Sequence, residues 1–320
     1  MSLAARILIG SVLSALALPA AAQEKPLERS FFAGAAASYR IQLTVRSEIA
    51  GQQTEQIGAR AYVRPFSRVV EDGVRWTATQ RVLAIGAQGA AEIEETLEDF
   101  ETLTSSSNAD DPETAKLARA LRDAMNDWKR ARTLRYRESR TGQLLDLKAD
   151  GVLQLGEAAP PLLSLWLLRA LRPAAALPDK PVRFGERWQE PRTAQFPNWA
   201  EVRGSESGQW LDVREASEPA ARFLVVQQLF GTVVAGPEKP PEGTAQARFH
   251  GESLNMVSLS DAHLLAATRS ATREITWTLA PVEGLTERPE FRTSLSVQVV
   301  IEVCDETPCL SSGRPALRQR

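Results

Sequence analysis

The chain has 320 residues and a formal net charge of −2, with 38 Lys and Arg residues against 40 Asp and Glu residues. Because this balance is slightly acidic, we do not expect nucleic acid as a partner. The hydrophobic content of 43% is ordinary for a globular protein, and the length allows one large core or two smaller ones.

Residues 1–22 predict a cleaved export signal. Arg6 precedes an apolar run from Ile7 to Leu18, and the small residues Ala20 and Ala22 follow it. This order is typical of a signal peptide, and the run is shorter than the roughly 20 residues that a membrane-spanning helix needs. No later apolar run is long enough for a transmembrane segment. We therefore expect a soluble periplasmic protein that begins near residue 23.

Residues 23–157 predict a first antiparallel β lobe. Apolar and polar residues alternate without a miss over residues 39–46, as in a strand with one buried face. Asp72-Gly73 is interpreted as a turn. Further strands are predicted at residues 56–63, 74–85, 91–100, 133–139 and 144–155.

One helical excursion, residues 111–131, interrupts this lobe. Asp111 is a suitable N-cap, Pro112 suits the first helical position, and Leu117, Leu121 and Met125 recur at helical spacing. The polar residues 102–110 before it predict a loop.

The acidic run from Glu92 to Glu101 is interpreted as a solvated face that pairs across strands with the arginines of residues 130–140. Alternation places Glu94 and Glu95 on opposite faces of their strand. A calcium site is the alternative, but the run lacks the glycine-turned loop that calcium sites use.

Residues 158–181 predict a second, strongly apolar helix followed by a proline-rich linker. On a helical wheel Leu162 and Trp166 share one apolar half, whereas Leu165 and Leu168 fall on the other half beside Arg169. Burying each of these two leucines is worth roughly 1.5 to 3 kcal/mol, so a second apolar surface is expected over them. That surface is either core on both sides or a bound lipid-like molecule or partner.

Residues 182–309 predict a second antiparallel β lobe, with strands near residues 201–213, 221–234, 245–259, 275–279 and 295–303. Cys304 and Cys309 flank a turn-like sequence and predict a disulfide, which stabilises such a small loop by about 2 kcal/mol. Two metal-ligating thiolates are the alternative, and it lacks further ligands. Residues 310–320 are expected to be a disordered tail.

Catalytic motifs are missing from the sequence. Gly204-Ser205-Glu206-Ser207-Gly208 resembles a nucleophile elbow, but a glutamate holds the central place, so it is interpreted as a turn. The two histidines, His250 and His263, are interpreted as surface or edge side chains. We therefore predict a protein that is not an enzyme, with no catalytic residues, no metal ligands and no cofactor.

The stretch LPDKPVRFGERW, residues 177–188, and the stretch GQLLDL, residues 142–147, carry a family resemblance. Together with the leader, they resemble an uncharacterised family of exported bacterial β-rich proteins, a domain of unknown function. At the level of architecture the chain is also similar to the periplasmic lipoprotein carriers. That similarity implies a curved antiparallel sheet wrapped around an apolar helix, with acyl chains held between them.

These observations predict a mainly β fold of the α+β class. About a dozen antiparallel strands form one or two curved sheets, with two helices packed on or between them. The predicted function is non-catalytic binding of an apolar or lipid-like ligand between sheet and helix, through Leu162, Leu165, Trp166, Leu168 and Trp188. The alternatives are an envelope scaffold protein that binds a protein partner through a sheet edge or the helix flank, and a hydrolase with an unrecognised site. The sequence does not define an oligomeric state.

Overall fold

The computed structural model describes residues 27–57, 60–108, 111–130, 132–149, 171–175, 177–178, 182, 184–196, 200–215, 219–233, 243–279 and 290–304. These residues form eleven β-strands and one α-helix. The strands are β1 (Ala36–Ile57), β2 (Arg60–Ile85), β3 (Ala91–Ser107), β4 (Thr133–Glu138), β5 (Leu144–Ala149), β6 (Arg187–Phe196), β7 (Ala200–Glu215), β8 (Pro219–Val233), β9 (Gly243–Ser258), β10 (Leu264–Leu279) and β11 (Glu290–Val303).

The alternating pattern of β1 is confirmed. Tyr39, Ile41 and Leu43 are buried, while Gln42 and Arg46 are exposed on the other face. The partner strand β11 alternates in the same way and buries Leu295, Val297, Val299 and Ile301. Since a strand sends successive side chains to opposite faces, these two strands give the sheet an apolar inner face and a polar outer face.

All eleven strands belong to one sheet, in the order β5-β4-β3-β2-β1-β11-β10-β9-β8-β7-β6, and every described pair is antiparallel. The first and last of the described strands, β1 and β11, are neighbours, with Ile41 opposite Ile301. The strands of both predicted lobes therefore share one sheet. The division of the chain at residues 158–181 stays a prediction.

The sheet is rolled, and two backbone hydrogen bonds demonstrate it. The N–H of Arg29 donates to the carbonyl of Arg140 at 2.7 Å, and the next N–H, that of Ser30, donates to the carbonyl of Asp261 at 2.8 Å. The two carbonyl oxygens therefore lie within about 10 Å of each other. In a flat sheet β4 and β10, which end and begin beside these turns, would be about 24 Å apart.

The segment of residues 27–35 thus crosses one end of the rolled sheet. We call this the lower end of the sheet. The strands that begin at the lower end are β1, β3, β5, β6, β8 and β10, and those that end there are β2, β4, β7, β9 and β11. The opposite end, where β1 ends and β2 begins, is the upper end. Residues 171–175 lie buried near the lower end, because Arg172 contacts β4 and the side chain of Arg269 on β10 reaches its carbonyl oxygen.

The predicted helical excursion is confirmed as α1 (Pro112–Arg130). The carboxylate of Asp111 accepts hydrogen bonds from the backbone N–H of Glu113 at 3.0 Å and of Thr114 at 3.2 Å, as an N-cap does. Leu121 and Met125 are buried in the main core against the sheet. Of the two predicted helices, this one is found within the described residues. Most of the predicted apolar helix of residues 158–181 lies outside the described residues.

The predicted strand 56–63 is divided between the end of β1 and the start of β2. Two other local predictions in the first lobe are wrong. The predicted loop 102–110 is strand as far as Ser107. Asp72-Gly73 is not a turn but lies inside β2. The pairing of β2 with β3 shifts register just after Gly73, and a Cβ there would lie 2.6 Å from Oγ1 of Thr104. The glycine therefore marks a β-bulge.

The predicted signal peptide, Cys309 and the predicted tail also lie outside the described residues. Cys304 follows β11, where its N–H donates to the carbonyl of Ser38 at 2.8 Å, and the Cys304–Cys309 disulfide stays a prediction. No helix within the described ranges has both the length and the apolar character needed to cross a membrane.

Candidate functional site on the inner face of the sheet

The five predicted ligand-binding residues divide into two groups. Leu162, Leu165, Trp166 and Leu168 lie outside the described residues. Trp188 is described on β6, where it is half-buried and packs against the main core.

Trp188 belongs to an aromatic group on the inner face, which we call the aromatic shelf: Trp188, Trp210 and Phe223. The ring of Trp188 meets that of Phe223 edge to face at 6.1 Å, and the rings of Trp210 and Phe223 lie 5.3 Å apart. Trp210 and Phe223 are buried, and the Trp210 indole N–H donates to the carbonyl of Asp212 at 3.2 Å. Of the three rings, Trp188 is therefore the one with surface available for contact.

Gly208 fixes the position of the Trp188 ring. It lies opposite Trp188 in the β6–β7 register, and a Cβ at position 208 would lie 2.0 Å from Cζ2 of the indole. The indole therefore lies directly against the β7 backbone, which a side chain at this position would prevent. Sequence reasoning identified Trp188, but its two partners depend on the register of three strands.

The apolar inner face continues toward the upper end. Trp277 on β10 is buried, and its ring lies 5.3 Å from that of Phe291, which in turn lies 6.3 Å from that of Phe66. Ile275, two residues before Trp277 on the same face, is fully buried. The inner face is thus aromatic or aliphatic well beyond the shelf.

A buried ion cluster lies at the lower end and consists of Arg29, Glu138 and Arg172. One oxygen of Glu138 accepts from Arg29 at 2.5 Å and the other accepts from Arg172 at 2.9 Å. Burial lowers the pKa of Arg29, but the charge of Glu138 and the hydrogen bond to its carboxylate oppose this effect, and the pKa is raised above its ordinary value. The cluster joins the N-terminal segment and residue 172 to β4, and thereby closes the lower end.

Arg269 extends this polar interior to β10. Its guanidinium donates to the backbone carbonyls of Arg172 at 2.9 Å and Ala174 at 2.6 Å, and to the side-chain oxygen of Asn255 at 3.3 Å. Burial, and then the positive charge of Arg172, lower the pKa of Arg269 to about 9. Backbone carbonyls thus hold a guanidinium in the interior.

Glu95 is buried beside the ion cluster. Its carboxylate accepts from the hydroxyl of Tyr136 at 2.8 Å and from the amide of Gln80 at 3.2 Å. Burial raises the pKa of Glu95, and these two hydrogen bonds oppose the rise. The prediction of a solvated acidic face is thus wrong for Glu95, although the alternation that separates it from Glu94 is confirmed.

The expected pairing between the acidic and basic runs is confirmed at one pair, since Arg135 contacts Glu94 at 2.7 Å on the outer face. His250 is exposed on β9, and His263 lies in the β9–β10 turn with its Nδ1 atom 2.5 Å from Asp261. Within the described ranges, no three His, Cys, Asp or Glu side chains converge as metal ligands do.

No family model and no curated protein matches the chain. A solved outer membrane channel from Pseudomonas putida F1 has 12% identity and a TM-score of 0.17, over 86% of this chain and 97% of that chain. The toluene transporter TodX from Pseudomonas putida has 9% identity and a TM-score of 0.13, over 88% of this chain and 97% of that chain. At these TM-scores neither likeness bears on fold or function.

Proposed function

We propose that this protein is a non-catalytic periplasmic binding protein that holds an apolar, lipid-like molecule against the inner face of its rolled sheet. The observation that carries the proposal is the aromatic shelf, in which two buried rings support a half-buried Trp188 on the inner face. Binding sites for apolar ligands are concave and lined mainly by aromatic and aliphatic side chains.

The distribution of polarity supports the same proposal. The outer face of β1 carries polar residues such as Gln42 and Arg46, while the inner face is apolar from Tyr39 to Val45. An apolar molecule therefore has its most favourable contacts inside the roll, where each apolar contact removed from water contributes to binding.

The first experiment asks whether a ligand is present. Organic extraction of the purified protein followed by mass spectrometry is expected to release a lipid-like molecule. The delipidated protein is then expected to take up a dansyl-labelled fatty acid, with energy transfer from tryptophan to dansyl as the readout. A clean extract together with no uptake of the labelled fatty acid contradicts the proposed function.

The second experiment tests the shelf itself. With direct excitation of the dansyl group as the readout, so that loss of a tryptophan donor does not affect the signal, Trp188→Ala is expected to weaken uptake of the labelled fatty acid at least ten-fold. Trp188→Phe, which keeps an aromatic ring, is expected to weaken it less. Val300→Ser is the matched control, because Val300 is a partly exposed residue of β11 between the inward-facing Val299 and Ile301. Circular dichroism checks that each variant folds. Equal uptake by Trp188→Ala and Val300→Ser contradicts a role for the shelf.

A further inference from the structure

Exposed apolar side chains are concentrated at the lower end. Of the ten large hydrophobic residues that are exposed within the described ranges, six lie there, and two are phenylalanines, Phe32 at 65% and Phe184 at 62% exposed. We call these six the lower rim: Phe32, Leu83, Ile85, Leu145, Phe184 and Val213. Single exposed apolar residues are ordinary, but a set gathered at one end of a molecule marks a contact surface.

The lower rim comes from many elements, not from one groove. Phe32 lies in the segment that crosses the lower end, and Phe184 lies just before β6 begins. The others lie near the ends of β2 and β7 and the start of β5. All of these positions lie at the same end of one rolled sheet.

At this end the arginines are more exposed than most of the acids. Among the described residues five arginines are exposed there, whereas only the acids Glu92 and Glu186 are exposed and four other acids, Glu28, Asp212, Asp261 and Glu302, are half-buried. Two of the arginines also contact half-buried acids, since Arg140 pairs with Glu28 at 2.9 Å and Arg214 pairs with Asp212 at 3.4 Å. A guanidinium has five donor N–H groups, so such pairs leave donors for another anion. The five are Arg81, Arg137, Arg140, Arg187 and Arg214.

We infer that the lower rim is a membrane-docking surface, which inserts its apolar side chains at the interface of an anionic phospholipid bilayer while the five arginines bind lipid phosphates. Aromatic and aliphatic side chains at turns partition into the headgroup region. Arginine binds phosphate through paired N–H donors, and each basic residue near an anionic surface adds to the attraction. This inference does not depend on the aromatic shelf or on any bound ligand.

The described N-terminal segment is held in place at the lower end. Leu27 is buried, and the backbone N–H groups of Arg29 and Ser30 donate to carbonyls of the two turns there. The segment that carries Phe32 is therefore fixed against the lower end of the sheet.

Co-sedimentation with vesicles tests the inference. The mature full-length protein is expected to bind vesicles of phosphatidylcholine with 30% phosphatidylglycerol more tightly than vesicles of phosphatidylcholine alone, and to lose affinity as salt rises. Phe32→Ser combined with Phe184→Ser is expected to weaken binding at least ten-fold. Arg140→Gln combined with Arg187→Gln is expected to remove most of the preference for phosphatidylglycerol.

The matched control lies at the upper end. Tyr62→Ser combined with Phe230→Ser removes two exposed aromatic residues there and is expected to leave vesicle binding unchanged. Binding of the labelled fatty acid is expected to stay unchanged in the lower-rim variants, so this test and that of the proposed function can fail separately. The inference is overturned if the wild-type protein binds neither type of vesicle. It is also overturned if the lower-rim pair, Phe32→Ser with Phe184→Ser, and the upper-end pair, Tyr62→Ser with Phe230→Ser, weaken vesicle binding equally. Self-association that depends on Phe32 and Phe184 without vesicle binding also overturns it.

Discussion

Glu138 is the residue on which the closure of the lower end depends. Its two oxygens bind one guanidinium each, and its side chain is completely buried between them. Replacing one partner of a buried ion pair leaves an uncompensated charge, which costs about 3 to 5 kcal/mol. We therefore expect Glu138→Gln to lower the free energy of unfolding by about 3 kcal/mol or more, measured by urea denaturation.

A second acid–arginine pair provides the control for this substitution. Glu94 pairs with Arg135 on the outer face, where the arginine side chain is 47% exposed. Because exposed pairs contribute little, Glu94→Gln is expected to lower the free energy of unfolding by less than about 1 kcal/mol. Equal effects of the two substitutions would show that the buried cluster does not stabilise the lower end.

Glu95 predicts a dependence of stability on pH. Its pKa in the folded protein is raised above the ordinary value of 4.5, mainly by burial. From pH 4.5 up to that raised value, the folded protein holds a proton that the unfolded chain has released. The contribution of Glu95 to the free energy of unfolding is therefore largest below pH 4.5, and it decreases as the pH rises from 4.5 through the raised pKa.

Glu95→Gln removes this dependence, because an amide stays neutral and still accepts a hydrogen bond from Tyr136. The variant is expected to gain stability relative to the wild type as the pH rises from 4.5 toward 8, measured as the difference in urea midpoints. Glu94→Gln, on the solvent side of the same strand, is the comparison. If the stability of Glu95→Gln followed that of the wild type across the whole range, Glu95 would not be the group responsible.

The helix α1 begins at a cap that its sequence specifies. The carboxylate of Asp111 accepts from two backbone N–H groups and from the Thr114 hydroxyl, and the bond from that hydroxyl is the first cause of its lowered pKa. Asp111→Ala is expected to speed hydrogen exchange at the amides of Glu113 and Thr114, since the helix end loses its acceptor. Asp111→Asn keeps an acceptor and should retain slow exchange. Fast exchange in Asp111→Asn would assign the effect to the lost ion pair with Arg68.

Elements with strict periodicity or capping chemistry could be predicted from the sequence. Neighbouring residues alone predict the strand at residues 39–46, through their alternation, and the start of α1 at Asp111-Pro112, through the N-cap. The sequence Asp72-Gly73 predicts a turn, but glycine is common in β-bulges as well as in turns. Only the pairing of β2 with β3 distinguishes the two. Residues 102–107 are strand because β2 offers them a backbone partner, which no local pattern reveals.

The candidate site could be predicted only in part. Trp188 is an aromatic residue in a strand-like stretch, but Phe223 and Trp210 meet it through pairings across three strands. The buried acids did leave a local signal. Glu138 lies two and four residues after the buried Tyr136 and Leu134, and Glu95 lies two residues from both Ile93 and Leu97. Because side chains two residues apart in a strand share a face, this spacing would have predicted that both acids point inward.

At the scale of the whole molecule, the seam between β1 and β11 joins the first and the last described strands. Tyr39, Ile41 and Leu43 are fully buried there, opposite Val303, Ile301 and Val299. Arg172 lies between the two halves, with its side chain on β4 and its carbonyl bound by Arg269 of β10. A half sheet separated from its partner would therefore expose an apolar face and an unpaired strand edge.

This arrangement predicts that the halves do not fold alone. Fragments 23–178 and 182–309, expressed separately, are expected to show no cooperative urea transition, because each lacks half of the seam. A chain with a protease site at residues 179–181, cleaved after folding, is expected to stay assembled and to elute as one species, since the seam and Arg172 still join the halves. The same cleaved chain carrying Glu138→Gln should separate at lower urea. A cooperative transition in either fragment alone would show instead that the chain contains two independent domains that share a sheet.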